Sequence, residues 1–548
     1  MLSLSNKKTY KTLLYAILFI GVFLRVVLLD RFPAGLNCDE VAASYNAFSI
    51  LNTLADKNGM FLPAYFLNVS GGQSALFIYL SVPFVKIFGL NPFGTRLPMA
   101  VISSISLFVF YRIMSFALDE ENESDRFKII FSVLFFTLNP WHIMKSRWGL
   151  DCNLFPEFVL FGIYFLIKYL YSVRNDKSSD IKYYIFAFIF LSLSAYTYAT
   201  SYLALSTFVI LFYIYGLKNK YISIKQVFLS VLIVLIITWP LILFIIINFF
   251  KLDNINLIFM TIPRLMTNRM AKEASFSFSN IISTIKLLIF QNDGIYWNVI
   301  PGIGMAYIYA FPFFLLGVLN CCYNKTNKSN AKKLSIVDDI FLLWLISGFI
   351  LCLSLKDINV NRANYIIIPF IYFITKGFLF LCSHKVLKII SVISLIVSFV
   401  VFSYIYIGVN LAKEKNIMID GFNVKKDDTF SAGLEPVIKY VDKLDAKDIY
   451  LLGTARLADN YVLYYLKMPP SEYKNVVYFP KSYDVHSFGK WHFEKPVEMK
   501  DFSGKSYINM ANVEGIVYVL PDRYEPLIDK NVYTITKISH YIVCEYRT

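Results

Sequence analysis

Histidine, ligand-spaced cysteine and charge are what this chain has little of. Its seven cysteines (Cys38, Cys152, Cys321, Cys322, Cys352, Cys382 and Cys544) form no CxxC pair and no Cys/His ligand spacing, so neither a zinc site nor a disulfide framework is indicated. Cys38 and Cys152 are the one pair expected to face each other outside the membrane. Of the five histidines, His486, His492 and His540 show no metal spacing. Gly453-Thr454-Ala455 follows a predicted strand without a phosphate-loop pattern, so no nucleotide site is assigned. The sequence requires no cofactor, and a divalent metal stays an open question, with Asp151 and Glu157 as the further carboxylates on the correct side. Charged residues make up only 17% of the chain, and most long apolar runs are bare in their middle.

What is present is apolar surface. The 548 residues are 57% hydrophobic and 18% aromatic, with a mean hydropathy of +0.54. Apolar runs of spanning length recur from Lys11 to about Gly408, which marks a polytopic membrane protein. The net charge of +15 does not indicate nucleic acid, because the lysines cluster in short loops between the runs, as membrane orientation requires. The first run, Thr12 to Leu29, follows Lys7, Lys8 and Lys11 and lacks a small-residue cleavage site, so it reads as a retained span with a cytoplasmic N-terminus.

Residues 75 to 89 decide the topology. That run is short, contains Pro83 and carries Lys86, which suits an interfacial helix. If it does not cross, the basic loops around Arg174 and Lys177, Lys218 to Lys225, Lys325 to Lys333 and His384 to Lys388 all fall inside. The remaining spans are then 96–117, 127–144, 155–172, 183–199, 202–217, 226–249, 303–322, 338–355, 364–382 and 387–408. With the first they make about eleven transmembrane helices and place the C-terminal part outside. Residues 1–408 are expected to form the transmembrane domain and 409–548 a small extracytoplasmic α/β domain. The latter has helices at 431–444 and 459–466 and strands at 448–453, 475–479, 515–520 and 532–544.

Chemistry-bearing residues gather on the outer side. Leu36-Asn37-Cys38-Asp39-Glu40-Val41 sets two acids just beyond the first span, at the depth of a lipid's polar head. The pair has two readings. Asn37 caps a helix whose first turn holds Asp39 and Glu40, where the helix dipole favours negative charge; or the acids act on a lipid-linked substrate. Val41, Tyr45, Phe48 and Ala55 fall near helical spacing, which predicts a helix lying flat on the membrane. Segments 91–98, 139–151 and 357–364 place Arg96, Arg147 and Arg362 at headgroup depth. Guanidinium groups there either grip phosphate oxygens in bidentate fashion or anchor the helix end to lipid. Residues 250 to 300 form a long outer loop with an amphipathic stretch at 281–290 and the cluster Gln291 to Asn298, whose Tyr296 and Trp297 suit either sugar stacking or an interfacial belt. Asn361, with them, is a candidate for binding acceptor or sugar.

The order of these segments carries a resemblance. Cys38-Asp39-Glu40, Gly71-Gly72-Gln73-Ser74, Phe88-Gly89-Leu90-Asn91-Pro92-Phe93, Arg96-Leu97-Pro98 and Trp141 to Pro156 together resemble GT-C membrane glycosyltransferases. The closer likeness is to the bacterial relatives of protein O-mannosyltransferases and the lipid A aminoarabinose transferase, and it covers about the first 400 residues. The resemblance implies a GT-C-like fold and an inverting transfer of sugar from a polyprenyl-phosphate donor to an extracytoplasmic acceptor: cell-envelope glycan, glycolipid or protein. Asp39 matches the family's catalytic aspartate and would be the general base; Glu40 would orient it or bind the acceptor; Arg96, Arg147 and Arg362 would hold the donor phosphate. The chain departs from the aminoarabinose transferases where they carry basic residues, having Val41-Ala42-Ala43 and Gly72-Gln73-Ser74 instead. The phosphate is then held by other cations or the donor differs, and the lipid A reaction itself is not assigned. The abundance of Lys, Ile, Asn and Phe fits a bacterial source. The competing expectations are a lipid or polysaccharide translocase, and a polymerase or ligase using diphosphate-linked oligosaccharide.

Overall fold

A computed structural model describes residues 4–68, 72–176, 180–265, 276–295, 297–326, 334–381, 385–415, 430–480, 484–500 and 506–547. The chain forms two compact units: Met1–Val27, Met99–Ile245 and Arg269–Ile405 in one, Leu28–Pro98, Ile246–Asn268 and Tyr406–Thr548 in the other.

Helices dominate because an apolar run in lipid can satisfy its backbone N–H and C=O groups only within itself. They are α1 (Lys7–Val26), α2 (Cys38–Thr53), α3 (Ala75–Phe88), α4 (Pro92–Ala117), α5 (Glu123–Thr137), α6 (Pro140–Ser146), α7 (Asp151–Asp176), α8 (Ile181–Ser194) and α9 (Ser201–Lys218). There follow α10 (Ile224–Phe250), α11 (Phe278–Phe290), α12 (Phe311–Thr326), α13 (Leu334–Leu353), α14 (Asn364–Leu381), α15 (Lys385–Lys415), α16 (Leu434–Val441) and α17 (Ala458–Tyr465). Among the described residues eight of these are long and apolar enough to span a membrane: α1, α4, α7, α9, α10, α13, α14 and α15. The bent pair α5 and α6 makes a ninth. The shorter apolar α8 and α12 occupy the other two expected spans, and α3 and α11 the expected interfacial and amphipathic stretches.

The expected span 127–144 is broken. α5 ends at Thr137, and α6 restarts at Pro140 at an angle of 51°. Asn139 accepts from the His142 amide, while Pro140 takes the first helical position, where its missing N–H costs nothing. Elsewhere in the first unit, α12 and α14 approach through glycine: a Cβ on Gly377 would lie 1.8 Å from Phe313 O, and one on Gly317 1.9 Å from Phe373 O.

In the second unit, a seven-stranded sheet has the order β12-β13-β11-β5-β8-β7-β6. Its strands are β5 (Asp448–Leu452), β6 (Val477–Tyr478), β7 (Val485–Phe488), β8 (Trp491–Glu494), β11 (Ile516–Pro521), β12 (Tyr533–Ile538) and β13 (Tyr541–Tyr546); shorter ladders pair β1 (Tyr65–Phe66) with β2 (Gln73–Ser74), β3 (Ile255–Asn256) with β4 (Thr261–Ile262), and β9 (Glu498–Lys500) with β10 (Ser506–Ile508). β5 runs parallel to both β11 and β8, and the outer pairs are antiparallel. The run Val517 to Pro521 is buried throughout, as a central strand covered on both faces requires. One face packs Leu452, Tyr518, Leu520, Ile542 and Cys544. The expected strand 532–544 is two, β12 and β13, reversed at Ser539, whose φ of 53° opens a tight hairpin.

Candidate active site

The acid pair lies in the second unit, and the fold treats its two members differently. α2 begins in a capping box: Asn37 Oδ1 accepts from the Asp39 amide at 2.9 Å, and Glu40 Oε2 accepts from the Asn37 amide at 2.9 Å. Glu40 is fully buried and ion-paired with fully buried Arg96, Nε to Oε1 at 3.0 Å. Arg96 further donates from Nη1 to Leu29 O (3.2 Å) and Pro33 O (2.8 Å), and from Nη2 to Gly35 O (2.5 Å) and Glu40 Oε2 (3.3 Å). All five guanidinium donors are thereby engaged by the loop that leads into α2 and by its first turn. Asp39, between buried Cys38 and Glu40, stays half-exposed. Asn68 Nδ2 donates to its Oδ1 at 3.4 Å, and Gln73 Nε2 to its backbone oxygen at 3.2 Å.

The face of α2 whose periodicity suggested a helix lying on the membrane is packed against protein. Val41 and Tyr45 are buried in protein, because α17 covers the helix. Tyr461 Oη donates to Leu36 O at 2.8 Å and Tyr45 Oη to Met468 O at 2.9 Å. Lys57 Nζ bonds Asp459 Oδ2 at 2.7 Å and Asn460 Oδ1 at 2.8 Å, and Thr95 and Tyr464 share a hydroxyl bond of 2.7 Å.

In the first unit three of the singled-out segments meet, and they meet on a residue that was not singled out. Lys145 Nζ, at the end of α6, donates to Asn298 Oδ1 at 2.8 Å and Asn361 Oδ1 at 2.6 Å and lies 4.4 Å from the Trp148 ring centroid. Asp293 Oδ2 accepts from Asn298 Nδ2 (2.8 Å) and from the Val360 amide (2.9 Å), which ties the segments at 293–298 and 357–364 together. Asn153 Nδ2 holds the turn after α6 through Lys145 O (3.3 Å) and Trp148 O (3.0 Å). A second buried group joins α1, α6 and α7: Arg25 donates from Nη2 to His142 Nδ1 and from Nη1 to Gly21 O at 2.7 Å, and His142 Nε2 stands 3.0 Å from Glu157 Oε1.

Of the arginines expected at a phosphate, Arg96 is wholly engaged by protein, by Glu40 and the carbonyls of Leu29, Pro33 and Gly35. Buried Arg147 donates from Nη1 to Leu24 O at 2.9 Å. Half-buried Arg362 donates from Nη1 to Lys356 O (2.7 Å) and Asp357 O (3.1 Å). Asn361 serves Lys145, Trp297 is half-buried, and Tyr296 lies outside the described residues. Cys38 and Cys152 are both buried thiols that form no disulfide with each other. Sequence patterning passed over Arg25, although a charge inside an apolar span was its signal. Lys145 had the weaker sign of a lone cation between Met144 and Ser146. No group of three or more His, Cys, Asp or Glu residues suited to a metal occurs among the described residues.

No family model matches the sequence, and no curated protein matches it. Solved structures do. The chain is similar to ArnT from Cupriavidus metallidurans in the apo state, at 12% identity and a TM-score of 0.57 over 98% of each chain. It is similar also to the same protein bound to undecaprenyl phosphate, at 10% identity and 0.54 over 98% of each. Overlap with the apo oligosaccharyltransferase of Archaeoglobus fulgidus reaches 0.49 at 11% identity, over 83% of this chain and 63% of that one. The agreement with ArnT along the whole chain shows a GT-C fold, that of a multi-pass membrane protein.

Proposed function

We propose that this protein is an inverting glycosyltransferase that moves a sugar from a polyprenyl-phosphate carrier to an extracytoplasmic acceptor. The observation that carries the reading is the division of labour in the acid pair on a GT-C fold: Glu40 is consumed by Arg96, and Asp39 is left half-exposed on a rigid capped turn. Asp39 takes the proton of the acceptor hydroxyl as that oxygen attacks the anomeric carbon, and the bond from that carbon to the phosphate oxygen breaks with its electrons staying on the phosphate. Arg147 and Arg362 are the cations assigned to that developing charge. Arg96 is reassigned from the phosphate to the positioning of Asp39 through Glu40 and the loop carbonyls. Trp297 and Asn361, with Tyr296, belong to the acceptor or sugar side of the reading.

The same reading takes residues 1–408 as the transfer domain and 409–548 as an extracytoplasmic domain, with the N-terminus in a bacterial cytoplasm. ArnT was solved with undecaprenyl phosphate, which supports this donor class. A translocase is the second reading, and the buried Arg25, His142 and Glu157 favour it, because such a path needs charges within the spans. The test is release of polyprenyl phosphate from a panel of labelled polyprenyl-phosphate sugars by purified protein in lipid. Turnover by wild type and none by Asp39→Asn supports the transferase. No turnover with any donor, while labelled lipid crosses the bilayer in both proteins, removes it in favour of the translocase.

A further inference from the structure

Lys145 is a buried cation that, among the described residues, meets no carboxylate directly. Its side chain is 2% exposed. Buried Lys376 meets Asp338 at 3.0 Å, and even half-buried Lys57 meets Asp459 at 2.7 Å. Lys145 meets two amide oxygens and an indole face instead. Among the described residues no carboxylate oxygen lies within 4.0 Å of its Nζ. The nearby acid, Asp293, is turned to the Asn298 amide and the Val360 N–H. Amide oxygens orient an ammonium but do not neutralise it, and a buried uncompensated charge is costly unless a ligand completes it.

The arrangement also leaves donors pointing to that ligand. Two of the three ammonium protons are engaged, and the Asn361 Nδ2 group, on the same amide that receives Lys145, has no protein acceptor among the described residues. An ammonium proton beside an amide N–H suits an oxyanion with several oxygens better than a single-point acceptor. We infer that Lys145, held by Asn298 and Asn361, is a phosphate-binding site for the lipid-linked carrier. The presence of the anion site stands on this geometry; its assignment to the carrier rests on the donor class proposed above.

The test is equilibrium binding to the full chain in phosphatidylcholine nanodiscs, with a short-chain polyprenyl phosphate, the matching polyprenol and inorganic phosphate as probes. Wild type is expected to prefer polyprenyl phosphate to polyprenol. Lys145→Met should lose about tenfold or more of the polyprenyl phosphate affinity, the size of a charge-assisted hydrogen bond, with polyprenol binding unchanged. Lys145→Arg should keep most of it. Asn298→Leu and Asn361→Leu leave the amine but remove its supports, and each should weaken polyprenyl phosphate alone; they decide the matter if Lys145→Met does not fold. Unchanged affinity in these variants overturns the site, and inorganic phosphate binding as tightly as the lipid overturns its assignment to the carrier. Lys145-dependent binding without any sugar transfer would remove the enzymatic reading and leave this site. Asp39-dependent transfer with wild-type binding in Lys145→Met would do the reverse.

Discussion

At the scale of single residues, Asp39 and Glu40 show how one turn separates two identical functional groups. Position along the turn decides it: Glu40 reaches back to the Asn37 amide and Arg96, while Asp39, half-exposed, accepts from Asn68 Nδ2. Asp39→Asn should therefore lower sugar transfer by about 10²- to 10⁴-fold, the usual worth of a general base. Its melting temperature in detergent should stay near wild type, and transfer at the wild-type rate would exclude Asp39 as the base. Glu40→Gln or Arg96→Met should act on stability instead, because each strands a fully buried charge, at a cost of about 3–5 kcal/mol. Calorimetry on the two single variants and on the double Glu40→Gln/Arg96→Met checks this, with the double expected to recover part of the loss. A strictly additive double would mean that the pair is not coupled. The helix-start reading and the chemical reading of the acid pair thus apply to different members of it.

At the scale of elements, two contacts matter most. α12 and α14 pack with carbonyl oxygens where a β-carbon would be, so even Gly377→Ala must push the helices apart. The expected cost is about 1–3 kcal/mol, read as a lower melting temperature, and a variant as stable as wild type would show that the helices yield freely. α17 backs α2, and Tyr461→Phe removes one hydrogen bond, worth about 1 kcal/mol, from the carbonyl just ahead of the cap. Under the proposed function its signature is a lower kcat with donor KM unchanged, since the base is displaced and the carrier contacts are not. A change in donor KM alone would refute that role. The break between α5 and α6 was legible as Asn139-Pro140, a cap followed by a residue suited to the first helical turn, yet hydropathy ran through it because Trp141, Ile143 and Met144 are apolar. Hydropathy reports burial, and α6 is buried in protein.

At the scale of the whole molecule, the spans and the C-terminal sheet were readable because long apolar runs and alternating strands are local signals. β11 appears in the sequence as Gly515 to Leu520, and α2 as a capped helix at Asn37. β7 and β8 were not anticipated, since each is four residues long and gains its meaning only from the neighbouring strand. What sequence could not supply is pairing at long range: that Arg96 serves Glu40, that Lys145 gathers Asn298 and Asn361, and that α17 covers α2. Ending the chain after Lys415 should therefore yield protein that aggregates on size-exclusion chromatography, because Lys57 loses Asp459, and Leu36 O loses Tyr461. A monodisperse truncation with Asp39-dependent transfer would contradict this. The bond from Tyr461 to Leu36 O joins positions 425 residues apart. At ordinary synthesis speed the loop before α2 then waits on the order of 20–90 s for its partner. The cover of α17 is thus the last support the acid helix gains, after its capping box and the Glu40–Arg96 pair, whose members are all made before residue 97.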